Sequence, residues 1–154
     1  MNKYSLTNQE ATRQGFTHMF NVTEADFVGT SGANESLNLC ELKLGDFVDN
    51  VCVEMVTPFD HANAGTKLDL GVTGSTDGLI DNGDLELTAG KIMLIGEGSN
   101  ATGAPIGVNA DGNLIAKVIL TTTTGGANLT AGSVNIWCRI NKAADRKDPA
   151  VDNG

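Results

Sequence analysis

Histidine, cysteine, aromatic residues and basic charge are all scarce in this chain, and each scarcity excludes a class of function. The only histidines are His18 and His61, and neither a GxSxG nor an HExxH pattern occurs. Nucleophilic catalysis needs a base beside its nucleophile, so a hydrolase is not expected. The GxGxxG and P-loop patterns that hold nucleotide phosphates are also absent. No cofactor is expected. The three cysteines, Cys40, Cys52 and Cys138, include no CxxC pair. An odd count with this spacing argues against a disulfide framework and against structural zinc. Each cysteine lies in an apolar-alternating stretch and is expected to be a buried, reduced thiol. One Trp, one Tyr and five Phe are a thin supply for a sugar-stacking platform. Trp137 is accordingly expected in the core or an interface.

Ten basic residues stand against nineteen acidic ones, a net charge of −9. Lys43, Lys67, Lys91 and Lys117 are widely spread and form no basic patch. Phosphate backbones are repelled by such a surface, so nucleic acid is not an expected partner. No apolar run approaches the roughly 18 residues of a membrane span, and no membrane partner is expected. Met1 to Gln14 is polar and lacks the apolar centre of a secretory signal. Synthesis in a cytosol is expected.

Glycine, by contrast, is abundant: nineteen in 154 residues, about 12% against a usual roughly 7%. Between the glycine-rich turns the chain alternates. In VCVEMV, Val51, Val53 and Met55 share one face, and Cys52, Glu54 and Val56 share the other. In SVNIWCRI, Val134, Ile136, Cys138 and Ile140 face one way and Trp137 the other. HMFNV, SLNLCEL, TKLDLGV, KIMLIG and NLIAKVIL read as further strands. Pro58 is expected to end the VCVEMVTPF strand, because proline cannot donate to a ladder. IGVNADGNLIAKVIL reads as a hairpin turning at Asp111-Gly112.

About eight or nine strands with almost no helical period predict an all-β fold, an antiparallel two-sheet β-sandwich with jelly-roll topology. The boundaries predicted are an N-terminal arm over residues 1–17, extended or short-helical, a sandwich domain over 18–142, and a flexible acidic tail over 143–154.

The stretch LDLGVTGSTDGLIDNGDLEL, Leu68 to Leu87, is the densest in Gly, Asp and Asn. It does not keep the D-x-[DN]-x-[DN]-G spacing of an EF-hand. A calcium site built from Asp77, Asp81 and Asp84 is the one metal alternative. The reading preferred here is a corner between sheets, in which Gly supplies positive φ and Asp and Asn bond their own backbone. No metal is expected.

Three stretches together, DFVDNVCVEMVTPFD, LDLGVTGSTDGLIDNGDLEL and SVNIWCRI, carry a resemblance. A long hydrophobic strand ending in TPFD, a GxxxxxDGLxxxGD segment and a closing strand with a bulky residue resemble small virion structural proteins of tailed bacteriophages, of the capsid decoration (cement) or head-fibre type. The resemblance runs from about Asp46 to Ile140 and carries over no functional residue. It implies a non-enzymatic protein on the capsid surface, assembled in the host cytoplasm. Its partners would be the major capsid protein and further copies of itself, as a homotrimer. Tyr4 and Phe16 in the arm are the expected partner contacts. A tail or head-fibre component and a carbohydrate-binding module for host adhesion are the alternatives.

Overall fold

A computed structural model describes residues 1–5, 15–27, 34–61, 65–98, 101, 105–120 and 129–145, with main chain alone at 2–5, 34, 117–120 and 145. Ten strands follow in chain order: β1 (Asn2–Ser5), β2 (His18–Thr23), β3 (Asn34–Leu42), β4 (Phe47–His61), β5 (Thr66–Val72), β6 (Ser75–Asp84), β7 (Ile92–Leu94), β8 (Ile106–Gly107), β9 (Gly112–Leu120) and β10 (Leu129–Asn141). Short 3-10 turns lie at Glu24–Phe27 and Ala143–Asp145.

The pairing is that of a long antiparallel ribbon folded on itself. β2 pairs with β10, β3 with β9, β4 with β7, and β5 with β6. The ribbon then curls so that β10 meets β4 and β9 meets β5. Two antiparallel sheets result, ordered β1-β2-β10-β4-β7 and β3-β9-β5-β6, with β8 beside the first half of β4. Nested pairing of this kind is the double Greek key of a jelly roll. The all-β sandwich expected from alternation is the fold observed.

The core lies between the sheets. Val51, Val53 and Met55 of β4 are buried, as are Val134, Ile136 and Cys138 of β10, Leu68 and Leu70 of β5, and Leu114 and Ala116 of β9. Burying each large aliphatic side chain contributes about 1.5–3 kcal/mol.

Three local expectations are corrected. Pro58 does not end β4, which runs on to His61. The register with β10 shifts across it, from Ser133↔Thr57 to Ala131↔Asp60. A bulge is where a strand tolerates a residue without an N–H. The Leu68–Leu87 stretch is no corner between sheets: β5, a Thr73–Gly74 turn and β6 make it a hairpin within one sheet. The hairpin needs Gly71, whose missing Cβ would lie 2.0 Å from the Ser75 carbonyl oxygen. Finally, β8 and β9 form no hairpin. β8 joins β4 and β9 joins β3 and β5, so Val108–Asp111 carries the chain from one sheet to the other.

Candidate functional site

Period-two alternation leaves a second set of side chains on the outer face of the larger sheet. Register aligns them into rows across strands. Met19, Trp137, Cys52 and Leu94 are successive cross-strand partners on β2, β10, β4 and β7. The neighbouring row is Asn21, Asn135, Glu54 and Ile92. A third is Thr23, Ser133 and Thr57. Directly opposed side chains touch, so the face is an apolar band, an amide band and a hydroxyl band laid side by side.

The amide band is internally bonded. Asn135 Nδ2 donates to Glu54 Oε2 at 3.1 Å, which turns its Oδ1 toward Asn21, whose Nδ2 donates at 3.0 Å. The carboxylate only accepts, so it fixes the direction of the whole row. The face leaves apolar side chains open toward its β7 edge. Ile92 is 54% exposed, Leu94 53%, and Val56 on β4 43%. Phe16 approaches Trp137 with ring centroids 6.3 Å apart.

Glu54 is the one side chain in these three rows that is charged at neutral pH, and an Arg139–Asp49 ion pair at 2.6 Å borders them. The other sheet differs: its registers align Ser36, Lys117 and Asp69, and Ile119, Lys67 and Asp84. A Lys67–Asp84 ion pair at 3.6 Å sits there.

The acids singled out in the sequence lie on β6. Asp81 is buried; its Oδ1 accepts from Asn82 Nδ2 at 2.6 Å, and its N–H bonds the Glu97 carbonyl. Asp84 accepts the Glu86 N–H at 2.9 Å, and Asp77 is half-buried. Among the described residues no three His, Cys, Asp or Glu side chains are grouped to hold a metal ion. His61 is buried at the end of β4, opposite Leu129. His18 Nδ1 lies 2.8 Å from Thr17 Oγ1, which accepts the Ile140 N–H at 2.9 Å and so ties the end of β2 to β10.

Of the two expected contacts in the arm, Phe16 borders the face. Tyr4 is the Cα partner of Met19 on β1, so the apolar row's register continues through it; its side chain lies outside the described residues. Residues 6–14 of the arm and 146–154 of the tail lie outside them too. An open groove of about 340 Å³ between the Thr73–Gly74 turn and Ile106–Asp111 offers little chemistry. Its acid, Asp111, is committed to the Leu44 N–H at 2.9 Å and to Lys43, and these two partners hold its carboxyl below the usual range.

No family model and no characterised protein matches the sequence. Among solved structures, a chain of the cyanophage Pam1 capsid asymmetric unit is similar in fold. The TM-score is 0.48 and the identity 20%, over 79% of this chain and 81% of that one. Among the described residues, no helix is long and apolar enough to cross a membrane.

One residue of the face corrects an expectation. Cys138 is buried as expected, but Cys52 and Cys40 are only half-buried. Val51 and Val53 occupy the inner face of β4, so Cys52 between them must point out. Burial and then the charge of Glu54 push its thiol above the usual value. At low protein concentration and pH 8, iodoacetamide followed by mass spectrometry should modify Cys52 well before Cys138, whose side chain is released only by unfolding. Glu54→Gln should speed the Cys52 reaction a few-fold, since it removes the second cause. Equal rates at the two thiols contradict this placement.

The signal for the face was present in VCVEMV. Cys52 and Val56 make the strand apolar on the side away from the core as well as toward it, and a strand apolar on both sides of an open sheet marks a surface to be covered.

Proposed function

We propose that this chain is a non-enzymatic virion structural protein that decorates a bacteriophage capsid as a homo-oligomer and bridges neighbouring major capsid subunits. The observation that carries the reading is the division of labour in the jelly roll. Its buried acids are committed within the fold, Asp46 to the turn before β4 and the segment after β10 and Asp69 and Asp81 to Asn82 of β6, while its most exposed large apolar side chains on a sheet, Val56, Ile92 and Leu94, belong to one face whose three central rows hold a single charged side chain, Glu54. A scaffold of this kind offers surface rather than chemistry. Exposed apolar patches with few charges mark protein contacts. The three stretches between Asp46 and Ile140 that resemble tailed-phage virion proteins give that contact a setting, the capsid surface.

The physical logic needs no active site. A small rigid block that binds two capsid subunits at once favours the assembled lattice over the separated subunits by mass action. Copies held together add avidity to weak single contacts.

Quantitative mass spectrometry of purified particles tests the proposal. On the order of hundreds of copies per particle are expected, because decoration repeats with the lattice symmetry. A few to a few dozen copies would move the protein to the tail or a head fibre. Its absence from particles would remove the virion reading altogether.

A further inference from the structure

We infer that the outer face of the β1-β2-β10-β4-β7 sheet is a self-association surface, and that its occupant is a second copy of this chain. The inference deepens the structural-protein reading by naming what covers the face, but its evidence is the geometry of the free chain.

Electrostatics selects the occupant. Two copies each carrying −9 repel one another over most of their surfaces. Contact between them is favourable only where few charges meet. The three rows centred on Trp137, Asn135 and Ser133 supply such a region, with Glu54 as the single side chain charged at neutral pH. A basic partner would be drawn to the acidic remainder of the molecule; this face offers it almost nothing. The composition also fits. Trp and Met are enriched, and charged residues depleted, at the centres of protein interfaces. Trp137 and Met19 are adjacent here, with Phe16 alongside.

Hydrogen bonding points the same way. In the amide band each Asn uses one N–H, and each amide group has two. The remaining N–H groups, with the hydroxyls of Ser133 and Thr57, need neutral polar partners. A copy of the same surface carries such groups. The apolar side chains at the β7 edge supply the driving force: Leu94 and Ile92 each leave more than half their surface in water in the single chain, and their burial gives a contact that salt does not dissolve.

The test is the mass of the purified full-length chain in solution, measured by sedimentation equilibrium at moderate and at high salt. An integer multiple of 16.0 kDa, two or more, is expected at both. A wild-type mass of 16.0 kDa at micromolar concentration overturns the inference. Trp137→Glu and Leu94→Glu should each raise the dissociation constant at least about 100-fold, as loss of a central interface anchor does. Leu94 is exposed on a short edge strand, so Leu94→Glu keeps the test valid if Trp137→Glu does not fold. An oligomer that keeps its mass in a folded Leu94→Glu variant, confirmed by circular dichroism, places the contact elsewhere and also overturns the inference. Iodoacetamide modification of Cys52 gives a second readout: it should accelerate on dilution of the wild type and be concentration-independent in Leu94→Glu. No particle is present in these measurements, so their failure leaves the copy-number test of decoration untouched, and the reverse holds as well.

Discussion

Gly132→Ala should lower the stability of the sandwich by about 3–5 kcal/mol, the sum of overpacking and backbone strain. Gly132 lies on β10 within the register shift, between Ala131 and Ser133, that faces Pro58 and Phe59. Its φ is +143°, and a Cβ there would lie 2.3 Å from Phe59 Cγ and 2.5 and 2.6 Å from the two Cδ atoms. The ring has little room to retreat. It is buried, stands edge-on to Phe27 with centroids 6.1 Å apart, and its own N–H donates to the Leu85 carbonyl at 2.8 Å. For a chain of this length each kcal/mol corresponds to about 2–4 °C in Tm, so a fall of roughly 10–15 °C is expected by thermal circular dichroism. Phe59→Leu in the same background should restore part of the loss, because the two sites share one volume. A fall below about 1 kcal/mol would show that the bulge yields, and that Phe59 does not dictate the glycine.

The second large effect belongs to Asp46. Its carboxylate is buried and accepts the Lys43 N–H at 2.9 Å, the Ala143 N–H at 2.8 Å and the Lys142 ammonium at 3.1 Å. One side chain thereby holds the β3–β4 turn against the segment that follows β10. Burial opposes its charge, but the three donors outweigh it and hold its carboxyl below the ordinary 3.8. Asp46→Ala leaves the part-buried Lys43 and Ala143 N–H groups and the Lys142 ammonium without their acceptor and should cost about 2–4 kcal/mol at pH 7. Asp46→Asn keeps one acceptor oxygen and should cost less.

The sign of the pH effect follows from the depressed value. A carboxyl that ionises more readily in the folded than in the unfolded chain contributes its full stabilisation above the unfolded value of 3.8. That contribution fades as pH falls through the lower, folded value. Urea unfolding should therefore show a constant gap between wild type and Asp46→Asn from neutrality down to about pH 5, narrowing below 3.8. A gap that stays the same at pH 3 would mean that the ionised carboxylate is not what holds the two segments together.

These two sites also show where a sequence stops being legible. The inward and outward sets of β4 and β10 follow from alternation, because side-chain direction in a strand is a local property. The β-sandwich follows from adding such strands together. The bulge does not. Pro58 reads locally as a terminator, and only the register shift against Ala131–Ser133 of β10 lets it stand within the strand. The β5–β6 hairpin was hidden for a related reason: its Gly, Asp and Asn residues look like a loop, although Gly71 and Gly78 are buried strand positions where neighbouring groups leave no space for a side chain. The partner-contact surface was only half visible. Trp137 is outward by parity, but its alignment with Met19, Cys52 and Leu94 depends on the registers of three separate pairings. Register between strands distant in the chain is set by the whole fold.

The nested order of the strands has a consequence for how the molecule comes into being. β2, near one end of the chain, is held along its length by β10, near the other, with His18 against Cys138 and Thr23 against Ser133. Each inner layer of the ribbon lies within that outermost pair. During synthesis the early strands leave the ribosome with their edges unfilled, and the larger sheet has no centre until β10 arrives. Assembly of this fold therefore waits until β10 has been made, a delay in keeping with the slow folding of chains built from distant contacts.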